Sequence, residues 1–286
     1  MHGKICLITG GNSGIGKAAA CGLAHLGATV VIVCRTPEKG EAVAAEIREK
    51  TENRSVDFLA ADLSSQASIR RVAADFQARY PALHVLINNA GIYSARRILT
   101  VDGIEMMFAV NHLAYFLLTH LLLDLLKPSA PSRIINVSSE AHRSARLNFG
   151  DLQGQNTYSG FGAYRLSKLC NLLFTQELAG RLHGTRVTVN ALHPGVVATG
   201  IFRNTPAILR LLMKAFAMNP EKGAETMVYL ASSTDMEGVS GKYFIKKTQV
   251  SPSSQAHDFR AAERLWRVSL KLTNLPPEKN SSATHN

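Results

Sequence analysis

The sequence predicts a single α/β domain whose doubly wound sheet of seven, mostly parallel strands is covered by helices on both faces. Two observations predict this fold class. Short runs rich in Val and Ile alternate with longer stretches whose apolar residues recur at helical spacing. The short runs are apolar at nearly every position, as expected of parallel strands that are buried on both sides.

A strand is expected at each of these runs, and a helix in each interval between them. The strands are expected at residues 5–8, 29–33, 56–60, 85–87, 133–137, 188–192 and 243–245. The helices are expected at residues 17–26, 39–49, 65–79, 104–126, 164–182 and 221–230. No linker or change of composition divides the chain before residue 274. We therefore expect one domain over residues 1–275 and a flexible tail over residues 276–286, which has no large apolar residue.

Composition narrows the classes of partner and compartment. The net charge of +11, from 32 Lys and Arg against 21 Asp and Glu, indicates an anionic partner, but the basic residues are scattered, which argues against nucleic acid. The four cysteines form no CxxC pair and the ten histidines show no zinc-like spacing, so we expect reduced thiols and no metal. The most apolar stretch, residues 113–126, is shorter than the about 20 residues of a membrane span, and no signal peptide is apparent. These features predict a cytoplasmic protein with no transmembrane segment.

A glycine-rich turn over residues 9–16 follows the first strand and leads directly into the first helix. Its glycines have the spacing GxxxGxG, which permits a tight turn and brings backbone N–H groups to a pyrophosphate at the helix N-terminus. A glycine-rich turn alone is a weak signal, but its place in a strand–helix–strand unit favours a dinucleotide site. The residues expected to contact the dinucleotide here are Gly10, Asn12, Ser13, Gly14, Ile15 and Gly16.

The end of the second strand predicts which dinucleotide binds. An acidic residue at this place holds the ribose hydroxyls of NAD, whereas this strand ends in Cys34-Arg35, with Lys39 one helical turn beyond. A guanidinium binds a 2′-phosphate through charge-assisted hydrogen bonds. The sequence therefore favours NADP, with Arg35 and Lys39 at the phosphate; the alternative is that Arg35 is a solvated surface charge.

Further motifs follow the later strands in order. Asp62-Leu63 come after the third strand, Asn88-Asn89-Ala90-Gly91 after the fourth, and Pro194-Gly195 after the sixth. With the glycine turn, this series resembles the short-chain dehydrogenase/reductase family along nearly the whole chain. The resemblance implies a Rossmann fold and further cofactor contacts at Asp62, Leu63, Asn89, Ala90, Gly91, Tyr164, Lys168, Pro194, Gly195, Val197 and Thr199.

The same resemblance implies a catalytic tetrad of Asn111, Ser139, Tyr164 and Lys168. Tyr164 and Lys168 lie four residues apart and share one helix face, where an ammonium lowers the pKa of a phenol and prepares it for proton transfer. Ser139, chosen over Ser138 because it aligns with the family serine, is expected to orient the substrate oxygen. Asn111 is expected to hold a water that relays protons to Lys168; the alternative is a plain N-cap.

The retinol dehydrogenase-like branch of that family resembles this chain most. The passages that carry the likeness are residues 34–35, 136–142, 149–153, 166–169, 173–178 and 262–266. The resemblance implies NADP and a lipophilic aldehyde, ketone or alcohol of the retinal or retinol type. A reductase of another apolar ketone, such as a steroid or quinone, and a non-catalytic dinucleotide sensor remain alternatives. His142 is either a second acid/base or a structural histidine.

Residues 201–218 combine three basic side chains and no acidic one with many large apolar residues. A lid over the substrate pocket, a peripheral membrane contact and the contact of a homodimer all fit this pattern. The lid is the leading interpretation.

Overall fold

Eight strands form one sheet in the computed structural model, which describes residues 1–195 and 219–277. The strands are β1 Ile5–Thr9, β2 Thr29–Cys34, β3 Val56–Ala60, β4 Val85–Asn88, β5 Ser132–Val137, β6 Val187–His193, β7 Tyr243–Ile245 and β8 Thr248–Val250. The helices are α1 Gly14–His25, α2 Pro37–Thr51, α3 Gln66–Arg79, α4 Met106–Leu126, α5 Gly160–Arg181, α6 Pro220–Ser232 and α7 Phe259–Leu272. The strand order is β3-β2-β1-β4-β5-β6-β7-β8.

Strands β1 to β7 run parallel to one another, which confirms the predicted doubly wound α/β class. The order reverses between β1 and β4, and in open α/β sheets a crevice for ligands forms outside the carboxyl ends of the strands at such a point. The parallel strands therefore bring the glycine turn and the ends of β4 and β5 to one edge of the sheet.

The eighth strand was not predicted. β8 pairs antiparallel with β7, and the connecting residues Lys246 and Lys247 both have positive φ angles, of 49° and 65°. Such a two-residue turn usually carries Asn or Gly, so two lysines gave no hairpin signal. β8 is largely exposed and only three residues long, and it lacks the apolar run that marks the other strands. Helix α7 was also missed, although its buried residues recur at helical spacing.

The core lies on both faces of the sheet, because successive side chains of a strand point to opposite sides. On β1, Leu7 packs with residues of α3, α4, α5 and α7, whereas Cys6 and Ile8 pack with residues of α1, α2 and α6. Helix α4 is long and apolar enough to cross a membrane by length and composition, and 78% of its most apolar window is buried inside this fold. Its burial against the sheet makes α4 the central core helix of this domain.

Candidate active site

The glycine turn lies between the ends of β1 and β4 and the start of α1. The N–H of Gly10 donates to Val33 O at 2.8 Å, which anchors the turn to β2. A Cβ at Gly16 would lie 2.4 Å from Gly10 O and 2.5 Å from Asn89 Nδ2, so a side chain there would push α1 off the strand ends. Only glycine permits this close approach of helix and turn.

The N-terminus of α1 fits a pyrophosphate. Ser13 is its N-cap residue but makes no side-chain cap hydrogen bond, and no acidic residue lies in the first turn. The N–H groups of this turn therefore remain available to an anion, which the positive end of the helix dipole also favours. The side chain of Ile15 is buried in the core, so its contribution to such a site is its backbone N–H.

The segment after β4 is held by hydrogen bonds to β1. Asn89 Nδ2 donates to Thr9 O at 2.8 Å, and the backbone N–H groups of Asn89 and Ala90 donate to Thr9 Oγ1 at 2.9 and 3.1 Å. Tyr115 of α4 donates its hydroxyl to Ala90 O at 2.8 Å. Asn89 therefore ties the ends of β1 and β4 together, and its contact with the cofactor stays a prediction.

Arg35 and Lys39 lie exposed beyond β2, beside the glycine turn. Among the ion pairs that the described residues form, none joins a carboxylate to either side chain. Next to them, beyond β3, Asp62 Oδ1 accepts from the N–H and hydroxyl of Ser64 at 3.0 and 2.8 Å. Leu63 packs against the core. Both cations therefore lie near the carboxyl ends of the strands, and their contact with a 2′-phosphate stays a prediction.

Tyr164 and Ser139 form the centre of the catalytic arrangement. Ser139 is the second residue after β5 and is hydrogen-bonded to Tyr164 of α5, whose side chain is 8% exposed. Burial raises the pKa of Tyr164, and the hydrogen bond with Ser139 opposes that rise. The ring of Tyr93 approaches Tyr164 edge-on, with centroids 6.2 Å apart.

Lys168 lies one turn further along α5, as the spacing predicts. Its Nζ is 5.7 Å from the ring centroid of Tyr164 and 6.0 Å from that of Tyr115, and it donates to Val137 O at 3.1 Å. Burial lowers its pKa to about 8, because a buried ammonium loses its hydration. Below that pH the lysine is charged and favours the phenolate of Tyr164.

Asn111 lies inside α4 rather than at its start, so the N-cap alternative is wrong. The helix begins at Met106 with Glu105 as its cap, and residues Ala109–Leu113 form a π-helical turn, a feature often found at functional sites. Both the oxygen and the nitrogen of the Asn111 side-chain amide form hydrogen bonds. Oδ1 accepts from the N–H of Ile92 at 2.8 Å, while Nδ2 donates to Ile92 O and Ser167 Oγ at 3.0 and 3.1 Å.

A space beside Gly91 joins Asn111 to Lys168. A Cβ built on Gly91 would lie 3.5 Å from Asn111 Oδ1 and 3.6 Å from Lys168 Nζ, so both atoms face the bare Cα. A water between them would hydrogen-bond both groups, which is the arrangement the predicted relay needs. The relay itself stays a prediction.

Ser138 and His142 are structural. Ser138 is buried and donates its hydroxyl to Lys168 O at 2.8 Å, which ties β5 to α5. His142 is fully buried, its Nδ1–H donates to Ser139 O at 2.6 Å, and its Nε2 accepts from the N–H of Ser253 at 3.1 Å. With both ring nitrogens engaged, His142 fixes the backbone of Ser139 and is not a second acid/base.

Of the cofactor contacts predicted after β6, the structure describes two. Pro194 and Gly195 follow β6 at the same edge of the sheet, and Gly195 has a φ of 87°. Val197, Thr199 and the segment 201–218 lie outside the described residues. The sequence missed Tyr115 and Asn171, which also reach the site. Tyr115 lies four residues after Asn111 and Asn171 three after Lys168, so helical spacing placed both on the faces that carry the tetrad.

Comparisons with known proteins identify the family of this chain. The profile of the short chain dehydrogenase family matches residues 4–208. Mouse retinol dehydrogenase 12 is 48% identical over 277 residues, which cover 96% of this chain and 88% of that protein. Human retinol dehydrogenase 11 is 47% identical over 278 residues, with 96% and 87% covered.

Solved structures show the same fold. An uncharacterised protein from Mycobacterium paratuberculosis has a TM-score of 0.78 at 34% identity, covering 96% of this chain and 94% of that one. A short chain dehydrogenase from Escherichia coli, solved with NADPH, has a TM-score of 0.68 at 27% identity, with 87% and 98% covered. By fold, family profile and relatives, this chain belongs to the short-chain dehydrogenase/reductase family of oxidoreductases that act on CH–OH or C=O groups, in its retinol dehydrogenase-like branch.

Proposed function

We propose that this protein is an NADP(H)-dependent oxidoreductase that interconverts a lipophilic aldehyde or ketone and its alcohol, of the retinal and retinol type. The observation that carries the proposal is the meeting of Ser139, Tyr164 and Lys168 at the sheet edge that also holds the glycine turn. The retinol dehydrogenase names of its relatives support the substrate class.

When bound, the nicotinamide supplies or accepts the hydride. The residues of this chain position the substrate and transfer the proton. The Ser139 hydroxyl holds the substrate oxygen in place, and Tyr164 gives that oxygen a proton during reduction or takes it during oxidation. Lys168 carries positive charge below about pH 8 and so stabilises the phenolate that remains after the proton has left. The buried surroundings of both side chains strengthen that attraction.

NADP is favoured over NAD by the charge beside the turn. Arg35 and Lys39 are exposed at the end of β2 and the start of α2, and Arg35 is followed by Thr36 and not by a carboxylate. A guanidinium and an ammonium there form charge-assisted hydrogen bonds with a 2′-phosphate, which are stronger than their hydrogen bonds with a neutral ribose hydroxyl.

The test is NADPH oxidation with a panel of all-trans-retinal, a medium-chain aldehyde, a steroid ketone and a quinone. Preference for the aldehydes supports the proposal. Preference for the steroid or the quinone would favour the alternative reductase. Binding of NADPH without turnover of any compound would favour the dinucleotide sensor.

We also propose that the protein works in the cytoplasm and touches membranes peripherally; a lid over the substrate pocket, which is the leading interpretation of segment 201–218, and the contact of a homodimer are its alternative roles. The four cysteines are free thiols, three of them buried, which fits a reducing compartment. The basic and apolar residues of segment 201–218 support the surface contact. Sedimentation of the purified protein tests the dimer. Flotation with anionic vesicles tests the contact, and Arg210→Glu with Lys214→Glu is expected to weaken it.

A further inference from the structure

Behind the tetrad, Asn171 of α5 connects three elements that meet at Lys168. Its Nδ2 donates to Asn111 O in the π-helical turn of α4 at 2.9 Å and to Val137 O at the end of β5 at 3.2 Å. Lys168 Nζ donates to the same Val137 O at 3.1 Å. The ammonium of Lys168 and the amide of Asn171 therefore share one acceptor.

The orientation of the Asn171 amide follows from these partners. Both neighbours are carbonyl oxygens, so only the NH2 side can face them, and Asn171 Oδ1 points the other way. On that side lies His112, which is fully buried in the same π-helical turn. Neither His112 Nδ1 nor Asn171 Oδ1 has a partner within hydrogen-bond distance among the described residues, and an attraction to Asn171 opposes the effect of burial on the pKa of His112.

His112 faces the oxygen side of the Asn171 amide. Its Nε2 lies 3.0 Å from Ser269 Oγ of α7, and burial lowers its pKa to about 4, so the ring is neutral near pH 7. A neutral ring with its proton on Nδ1 accepts from Ser269 at Nε2 and presents an N–H toward Asn171 Oδ1. Ser269 and His112 therefore lie behind the Asn171 amide, whose other side donates to the carbonyl oxygens of Asn111 and Val137.

We propose that Asn171, aimed by His112, is a positioning residue of the Tyr164–Lys168 pair: its amide holds the carbonyl oxygens of Val137 and Asn111 and so sets the charge environment in which Tyr164 exchanges its proton. This inference rests on the proposed function. Loss of the amide would remove a positive N–H dipole from Val137 O, so that this oxygen would offset more of the positive charge that Lys168 offers to Tyr164. A more negative surrounding disfavours the phenolate, so the pKa of Tyr164 would rise.

Several titratable groups surround the pair and are unchanged by a substitution at Asn171. Tyr115 of α4 faces Lys168, and Tyr93, after β4, faces Tyr164. At the end of β6, His193 feels the charges of Lys168, Glu140 and His142. Because these groups are the same in both proteins, a change in the pKa of Tyr164 is assigned to loss of the Asn171 side-chain amide.

The experiment measures the phenolate of Tyr164 by its ultraviolet absorbance, with NADP+ bound and no substrate. Each titration is corrected by the same protein carrying Tyr164→Phe. For Asn171→Leu we expect the midpoint to rise by about half a pH unit or more, which is a few-fold change in the ionisation constant. His112→Phe should shift it in the same direction by less, and adding His112→Phe to Asn171→Leu should add little.

Ser132→Ala is the matched control, because Ser132 is equally buried but donates to Leu126 O at the amino end of β5, the opposite end of that strand from Val137. It should lower stability without moving the midpoint. If Asn171→Leu fails to fold, Asn171→Ser, which keeps one donor, is expected to give a smaller rise. An unmoved midpoint in a folded Asn171 variant would overturn the proposal. Turnover of no carbonyl compound by the wild-type protein would instead overturn the proposed function, since the titration uses no substrate.

Discussion

The two halves of this crevice are built in different ways. At the cofactor half, between β1 and α1, the site consists of backbone: glycines that allow a close approach, the N–H groups of a helix N-terminus, and two exposed cations beyond β2. At the catalytic half, between β5, α4 and α5, it consists of buried side chains joined by hydrogen bonds. A backbone site is recognisable from glycine spacing, whereas a side-chain site depends on elements that meet only after folding.

This difference predicts separable effects of substitution. Changes in the backbone half should alter cofactor binding and leave proton transfer intact. Changes in the side-chain half should alter proton transfer much more than cofactor binding. The strongest test of the comparison is a variant of each kind with both quantities measured.

The largest effect is expected for Tyr164→Phe. It removes the proposed proton donor without changing the glycine turn, so kcat should fall at least about 100-fold, as is usual when an acid–base group is lost. NADPH binding, measured by fluorescence titration, should stay within about twofold, a difference of roughly 0.4 kcal/mol. Near-normal turnover would show that Tyr164 is not the donor and that the tetrad prediction is wrong.

Arg35→Asp should come next. A carboxylate in place of the guanidinium removes a charge-assisted contact worth about 1.5–3 kcal/mol, so NADPH binding should weaken by about 10–100-fold relative to NADH. Arg54→Asp is the matched control, because Arg54 is equally exposed but lies at the amino end of β3, on the opposite edge of the sheet. Equal Michaelis constants of the wild-type protein for NADPH and NADH would contradict the assignment.

A smaller effect on binding is expected for Gly16→Ala. The added Cβ would meet Gly10 O at 2.4 Å, and the shift this forces should weaken NADPH binding about tenfold, or roughly 1.4 kcal/mol. Gly180→Ala adds the same methyl group to α5, where nothing lies within 4 Å, and should leave binding unchanged. Equal binding by both variants would show that the glycine turn does not hold the dinucleotide.

The last prediction concerns stability and its dependence on pH. The pKa of Lys168 is about 8 in the fold against an ordinary value of 10.5, so the folded state binds fewer protons than the unfolded state between these pH values. Wild-type stability should therefore gain from this group as the pH rises from about 8 to about 10.5. Lys168→Met should abolish turnover yet raise the free energy of unfolding at pH 7 by about 1–3 kcal/mol.

Denaturant unfolding at pH 7 and pH 10 checks this prediction. The advantage of Lys168→Met should shrink at the higher pH, because the wild-type lysine is then neutral in the fold. A methionine variant that is less stable at both values would show that the bond from Lys168 to Val137 O outweighs the cost of burial.

The sequence by itself determined the fold class, the seven parallel strands and the location of the glycine turn, because apolar periodicity and glycine spacing are local properties of the chain. It also put Tyr164 and Lys168 on one helix face, since four residues make about one turn. Only the tertiary structure decided the roles of Ser138, Ser139 and His142. They differ in which partner each meets across the fold: Lys168 O, Tyr164 and Ser253.

The same reason explains the position of Asn111 inside a π-helical turn, the contact of Asn171 with two distant carbonyl oxygens and the Lys246-Lys247 hairpin turn. Each depends on residues far apart in the sequence or on a backbone angle that these residue types rarely adopt. The order of residue types along the chain does not state how far apart such groups lie after folding. These three features therefore follow from tertiary packing.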